Sequence, residues 1–259
     1  MKKVFCLCIF ILMVSIFGVQ ILPTALDQLK FNLTALINPM LNVQPAPKLV
    51  FSDEFKGSIL NFKKWQTQLM WGRTNPPELQ YYLPNAFTVK NGLLRINANK
   101  KLTYGKPYYS GVITTYKSFK FTYGTVIARI SVPTGKGLWP ALWLLDYAGG
   151  TNEIDITEIL GQQPNISYMT LHYPWSTAGG YFVGPNFTTH FHVFRLDWSS
   201  TAITWSIDGI PRLHLTKHIP SKPMYLIANL AVGGDWPGPP NSSTKFPAYY
   251  YIDYIRIYK

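Results

Sequence analysis

The chain has 259 residues, 47% of them apolar, with 24 Lys and Arg against 12 Asp and Glu. That apolar content supports a packed core and excludes a disordered chain. Outside the N-terminus no run approaches the roughly 18 apolar residues of a membrane span, so a polytopic membrane protein is excluded as well.

Met1 to Val19 reads as an export leader. Lys2 and Lys3 precede Val4 to Val19, which is apolar except for Ser15, Gly18 and two cysteines. Ala25 supplies a small residue for cleavage, but Pro23 is a poor partner for it, so residues 1–25 are expected as a signal peptide or a retained signal anchor. Cys6 and Cys8 are the only cysteines. The remainder therefore carries no disulfide framework and no cysteine metal site. Without its first 25 residues the chain loses Lys2 and Lys3 and no acid, which leaves 22 basic and 12 acidic residues, or +10. The basic residues are scattered, with Lys63-Lys64 and Lys100-Lys101 the densest knots, so no nucleic-acid partner is expected. A solvated basic surface accounts for the charge, and attraction to an anionic polymer stays open. Asn32, Asn165, Asn186 and Asn241 head glycosylation acceptor patterns, which matter only in a eukaryotic source.

Residues 26–48 contain Pro39, Pro45 and Pro47 and read as a linker, so the globular domain is expected over 49–259. From Leu49 the pattern is one of short strands. Phe87 and Val89, then Asn91-Gly92, then Leu94 and Ile96 predict a hairpin; Ile203, Trp205 and Ile207, then Asp208-Gly209, then Leu213 and Leu215 predict a second. Tyr123 to Val132 places Val126, Ala128, Ile130 and Val132 on one face. Tyr249 to Tyr258 sets Tyr251, Asp253, Ile255 and Ile257 against Tyr250, Ile252, Tyr254 and Arg256. With 20 Pro and 19 Gly as punctuation and no long amphipathic helix, the fold class is all-β, two packed antiparallel sheets in a sandwich or jelly roll.

Three of the twelve acids fall in Glu153-Ile154-Asp155-Ile156-Thr157-Glu158. On a strand Glu153 and Asp155 share a face, whereas Glu158 would point the other way. Either Glu158 enters the core, which is costly for an unpaired carboxylate, or a β-bulge returns it to the shared face. Three acids on one face repel, and at least one should hold a proton near neutral pH. One ionised carboxylate and one protonated carboxyl are the pair a glycosidase needs. A solvated acidic face and a calcium site are the alternatives.

Gly137-Leu-Trp139-Pro-Ala-Leu-Trp143 precedes this strand, and Trp139 and Trp143 share a parity. Asn229 to Gly238 is a turn-rich loop carrying Trp236. Each Trp alone reads as core; near an acidic face the three suit a saccharide groove, where flat rings stack on sugar C–H faces. His172 lies 14 residues beyond Glu158 and reads as either a groove contact or a structural histidine.

Together Glu-Ile-Asp-Ile-Thr-Glu (153–158) and Gly-Leu-Trp-Pro-Ala-Leu-Trp-Leu-Leu (137–145) resemble the bulged active-site motif of family 16 glycoside hydrolases. Phe51 to Gly57, Glu78-Leu-Gln-Tyr-Tyr82, Asp208-Gly209, Asn229 to Gly238 and Ile252 to Tyr258 extend the resemblance over nearly all of 49–259. It implies a concanavalin A-like jelly roll with a substrate groove on its concave face. It further implies Glu153 as nucleophile, Asp155 as its assistant and Glu158 as acid/base, with no cofactor for catalysis. Trp139, Trp143 and Trp236 correspond to sugar-stacking residues, Arg73, Glu78 and His172 to groove contacts, and Glu54, Gly92 and Asp253 to a structural calcium site. The bulged motif with Glu78 to Tyr82 is most similar to the laminarinase-like branch. That implies a secreted monomer cutting a β-1,3-glucan partner, with no membrane insertion unless the leader is retained. Mixed-linkage glucan, agar or carrageenan, a non-catalytic glucan-binding module and transglycosylation are the competing readings.

Overall fold

Alternating apolar residues and turn signals become sixteen strands and no α-helix in the computed structural model, which describes residues 46–259. The expected leader and linker, with Cys6, Cys8 and Asn32, lie outside these residues apart from 46–48. One sheet has ten strands: β1 (Leu49–Asp53), β2 (Gln80–Tyr82), β3 (Phe87–Lys90), β4 (Leu93–Thr103), β5 (Lys106–Ser110), β7 (Gly124–Ser131), β12 (His192–Trp198), β13 (Ile203–Ile207), β14 (Ile210–Leu215) and β16 (Ala248–Tyr258). The other has six: β6 (Val112–Thr114), β8 (Leu138–Asp146), β9 (Glu153–Glu158), β10 (Ile166–Tyr173), β11 (Ser176–Val183) and β15 (Met224–Val232), in the order β11-β10-β9-β8-β15-β6. The architecture is the all-β sandwich expected from the sequence. The antiparallel expectation holds for every named pairing except β2 with β5, which is parallel.

Both predicted hairpins form, because their turn residues tolerate left-handed backbone. Asn91 and Gly92 sit at φ 55° and 73°, Asp208 and Gly209 at 52° and 79°, as a two-residue turn of the primed type requires. The regular alternation expected over Tyr249–Tyr258 is broken. The register of β16 against β7 shifts between Ile252 and Tyr254, so Ile252 and Ile255 both face the core although they are three residues apart. Asp253 occupies the extra position and pairs with Arg129 at 2.5 Å.

The core lies between the sheets. Ile96, Val126, Ile130, Phe194 and Ile257 from the large sheet meet Leu142, Leu144, Ile154, Leu171 and Leu226 from the small one. One buried polar contact crosses it. Trp205 of β13, almost fully enclosed, donates from Nε1 to the backbone carbonyl of Asp155 in β9 at 2.8 Å. A smaller apolar cluster, including Leu69, Tyr82, Tyr225 and Ile227 with Trp143 against it, packs on the other face of the small sheet.

The Trp205 contact predicts that Trp205→Phe, which preserves most of the ring but leaves the Asp155 carbonyl unpaired in the core, lowers stability by about 1–3 kcal/mol. Equilibrium urea unfolding of the two proteins measures this; identical midpoints would mean the contact contributes nothing.

Candidate active site

Four neighbouring strands of the small sheet build the site. β9 lies between β8 and β10, and its register slips against both: between Leu142 and Trp143 on one side, and between Tyr168 and Thr170 on the other. The slip places one extra residue at Ile156–Thr157. In consequence Glu153, Asp155 and Glu158 sit opposite Leu145, Trp143 and Ala141 on β8. Directly opposite residues of antiparallel strands share a face, so all three carboxyls stand on the face that carries Trp143. The bulge therefore resolves the parity conflict in the sequence, and Ile154, Ile156 and Ile159 remain in the core.

A cleft of about 230 Å³ opens over this row, lined by Glu153, Asp155 and Glu158, by Trp139, Ala141 and Trp143 of β8, by Asn229 of β15, and by Trp71, Asn75 and Glu78. Two larger depressions, one along Ser52–Lys64 and one along Phe62–Met70 with Lys117, hold no free carboxylate pair. The acids there are engaged: Asp53 accepts from Trp65 and Glu54 from Arg256.

The three carboxyls differ in surroundings. Glu153 is half-buried, whereas Asp155 is 2% and Glu158 9% exposed. His172, opposite Glu153 across β10, places Nε2 2.9 Å from an Asp155 oxygen and 3.6 Å from one of Glu153. Trp139 Nε1 donates to Glu158 at 3.1 Å. Burial raises the pKa of all three above ordinary carboxyl values. For Glu158 the charges of Asp155 and Glu153 add to burial and push it well up, against a smaller lowering by His172 and by the Trp139 bond. For Glu153 burial and Asp155 raise it and His172 opposes them. Glu158, the more enclosed and facing two like charges, keeps its proton longer than Glu153, which is more open and lies beside His172.

The aromatic expectations separate by depth. Trp143 is fixed by donation from Nε1 to Asn229 Oδ1 at 2.8 Å. Asn229 Nδ2 bonds the Tyr82 hydroxyl at 3.0 Å, and that hydroxyl donates to Glu78 at 3.1 Å. Glu78, 5% exposed, also accepts from Asn75 at 3.0 Å and from Gln80. Burial raises its pKa as well, opposed by those bonds. Trp236 is 44% exposed and packs edge-on against Trp139, at 5.5 Å between ring centroids, which puts it at the rim beside the cleft lining.

Arg73, expected as a groove contact, lies outside the cleft lining. Its Nη1 donates to the backbone carbonyls of Thr67 and Tyr82 at 2.9 and 3.0 Å, which ties the Thr67–Arg73 loop to β2. The side chains expected around a structural calcium do not form a carboxylate cage. Glu54 makes a two-point pair with Arg256, both bonds 2.8 Å, and Asp253 is held by Arg129. Gly92 does adjoin the Glu54 carbonyl, so backbone oxygens are the donors such a site would use. Among the described residues, the carboxylate and histidine atoms that cluster closely enough to hold a metal are those of Glu153, Asp155 and His172, within the candidate centre itself.

Trp71 and Asn75 line the cleft without being expected there, and Asn229, expected to open a turn-rich loop, lies inside β15 with its side chain in the cleft. Trp71 sits in the tight turn closed by reciprocal bonds between Leu69 and Gly72, and neither periodicity nor charge marks it. Asn229 had a legible signal: it is the one amide in the otherwise apolar, fully buried run Met224–Val232.

The sequence model of Glycosyl hydrolases family 16 matches residues 81–256. A protein called Beta-glucanase from Rhodothermus marinus is 33% identical over 83% of this chain and 86% of its own length. Glucan endo-1,3-beta-glucosidase A1 of Niallia circulans is 34% identical over 82% of this chain, which spans 38% of that longer protein. Among solved structures, the catalytic domain of an endo-1,3-beta-glucanase (laminarinase) from Thermotoga petrophila RKU-1 superposes with a TM-score of 0.78 at 34% identity, covering 83% of this chain and 98% of the domain. The bulged carboxylate strand on a two-sheet sandwich and these matches agree: the chain belongs to family 16 of the glycosyl hydrolases and has its jelly-roll fold.

Proposed function

We propose that this protein is an exported endo-acting hydrolase of β-1,3-glucan that works by double displacement with retention. The observation that carries the reading is the bulged row in which Glu153 and Glu158 share a face but not an environment; the names of the relatives supply the linkage. Glu158 gives its proton to the glycosidic oxygen while ionised Glu153 attacks the anomeric carbon, forming a glycosyl-enzyme. Glu158, now a carboxylate, takes a proton from the water that attacks that intermediate, and both groups return to their starting states. Asp155, held by His172, keeps the nucleophile oriented. Two carboxyls suffice for this cycle, so it needs no cofactor. Trp143, Trp139 and Trp71 supply flat faces for sugar rings, and the Asn229–Tyr82–Glu78 chain fixes the first of them. The Lys-Lys leader with its apolar run supports export, to the medium or the cell surface.

The direct test is reducing-end release from laminarin, lichenan, agarose and carrageenan. Release from laminarin with an internal-cleavage product pattern is expected. Glu153→Ala should lose it by more than a thousandfold, as removal of a covalent nucleophile does, with its thermal melt retained. Full activity in that variant, or tight laminarin binding without turnover in the wild type, would overturn the reading.

The raised carboxyls also fix the pH behaviour. The bell-shaped profile of kcat/KM is expected to have both apparent pKa values above about 4.3, the ordinary glutamate value, and they belong to the coupled trio as a whole. An optimum below pH 4 would contradict it. Glu158 binds its proton more tightly in the folded chain than in the unfolded one. It therefore carries no penalty below the unfolded value and a growing one as pH rises toward its folded value. Glu158→Gln removes that penalty. The inactive variant should melt with the wild type at pH 4 and higher than it at pH 8, by about 2–4 °C for each kcal/mol relieved. A melt unchanged at pH 8 would show that the carboxyl is not destabilised there.

A further inference from the structure

The loop 54–64 follows β1 and buries anchors of its own. Phe55 and Leu60 within it, and Trp65 just after it, belong to the core between the sheets. Ile59 and Phe62 are equally apolar but are 74% and 60% exposed. The backbone fixes that exposure. Asn61 heads a tight turn: its carbonyl accepts from the N–H groups of Lys64 and Trp65 at 2.9 and 3.0 Å, and its Oδ1 accepts from the Lys63 N–H at 3.0 Å. Phe62 lies at the tip of this turn, and with Ile59 it borders a depression of about 570 Å³. The charges around the two side chains are one-sided. Lys56 and Lys63 are exposed, and among the described residues neither joins a salt bridge. The acids nearby are occupied, Asp53 by Trp65 and Glu54 by both bonds to Arg256. Phe62 also borders the neighbouring depression, where Lys117 adds a third exposed cation. Exposed apolar side chains rimmed by polar ones mark an interaction surface, and cations around them suit an anionic surface with an apolar layer beneath it. The place of the loop in the chain agrees. Residues 1–45 precede the described structure, and β1 spans only roughly 17 Å, so the loop lies within a strand's length of the point where the chain enters.

We propose that the loop 54–64 docks the catalytic domain on a bilayer containing anionic phospholipid. Ile59 and Phe62 enter the boundary between headgroups and acyl chains, and Lys56, Lys63 and Lys117 lie against the lipid phosphates. The inference rests on the reading of residues 1–25 as an export leader, which brings the chain to a membrane. Two apolar side chains and three cations bind a bilayer weakly by themselves. A retained leader keeps the domain beside the bilayer at high effective concentration, so a weak contact is enough to be occupied. The loop then decides which face of the sandwich meets the lipid. Neither Ile59 nor Phe62 lines the catalytic cleft, so this contact is separate from saccharide binding.

The test uses the full chain with Cys6→Ser, Cys8→Ser and Ser58→Cys, its single thiol carrying a polarity-sensitive dye. The labelled chain is reconstituted in phosphatidylcholine vesicles, with or without about three parts in ten of phosphatidylglycerol as the anionic lipid. Dye emission reports the loop itself, whatever the leader does. It should rise and shift to the blue only with phosphatidylglycerol, and raising the salt from about 0.05 to 0.5 M should reverse the change by screening. Lys56→Ala with Lys63→Ala should lower the ratio of docked to free loop by about 25-fold, roughly fivefold for each cation. Phe62→Ser should lower it by about tenfold. Laminarin release unchanged in these variants confirms that they fold. Emission that is the same in both vesicles, or that ignores Phe62→Ser, overturns the docking surface. Emission that rises with protein concentration in the absence of vesicles overturns it too, by showing that a second copy of the chain covers the loop. Fractionation of the producing cells tests the leader separately: a chain kept inside refutes export, whereas a dye response lost in an exported chain refutes the docking surface alone.

Discussion

One inserted residue in β9 is the constraint on which the site depends. In a regular strand of this sequence Glu158 would enter the core on the face of Ile154 and Ile156, where an unpaired carboxylate is costly. The extra residue at Ile156–Thr157 turns Glu158 back to the face of Glu153 and keeps the isoleucines inside. A bulge locally loosens the ladder, so the strand needs support from elsewhere. Thr157 is held by Ser167 of β10 through their hydroxyls at 2.8 Å, and the Asp155 carbonyl is held by Trp205 across the core. The large sheet thus fixes the position of the acidic strand in the small one, and a core tryptophan bears on chemistry it never touches.

Crowding three carboxyls into that row costs stability, and the neighbours decide how the cost is shared. His172 sits against Asp155 and Glu153, at the more open end; at the enclosed end Glu158 receives one indole N–H and faces two acids. The asymmetry separates the roles that two chemically identical side chains can take. A pair in equivalent settings would share a proton evenly and supply neither a firm acid nor a firm nucleophile. Glu78 shows the contrasting solution. It is as enclosed as Glu158 but surrounded by Asn75, Gln80 and Tyr82. Those donors make it the anchor of a chain of bonds that ends on the Trp143 indole, so its natural part is to position a ring.

How much of this was legible follows from the range of each signal. The hairpins at Asn91-Gly92 and Asp208-Gly209 were legible because backbone conformation at φ > 0 is a local demand met by local residues. The bulge in β9 was legible because its alternative would bury a charge. The bulge in β16 was not: Ile252, Asp253, Tyr254 and Ile255 read equally well as plain alternation, and only the register of β16 against β7 shows that Asp253 is extra. Arg73 and Glu54 mark a second limit. Both carry charges suited to a ligand, yet one is used on backbone carbonyls and the other on Arg256. A sequence shows the charge but not the partner that already occupies it. Trp71 marks a third limit, since a tight turn gives its residues no periodicity from which to read a direction.

Seven of the eight tryptophans show what the fold does with an excess of aromatic surface. Trp65, Trp198 and Trp205 close the core between the sheets. Trp71, Trp139 and Trp143 line the cleft on the other face of the small sheet, and Trp236 stands at its rim. Beyond the cluster that Leu69 and Tyr82 form on it, that second face has no third layer to cover it. In an ordinary sandwich such a face is polar, because exposed apolar rings gain nothing from water. Here the rings are aligned with the carboxyl row and tied by hydrogen bonds at their polar edges, to Glu158 and to Asn229, while their apolar faces stay available. A sugar ring has the complementary character, polar at its rim and apolar on its C–H faces, and a polymer of such rings supplies the missing layer one residue at a time. The placement of aromatic residues and the placement of acids therefore express a single design: a sheet whose outer covering is the substrate.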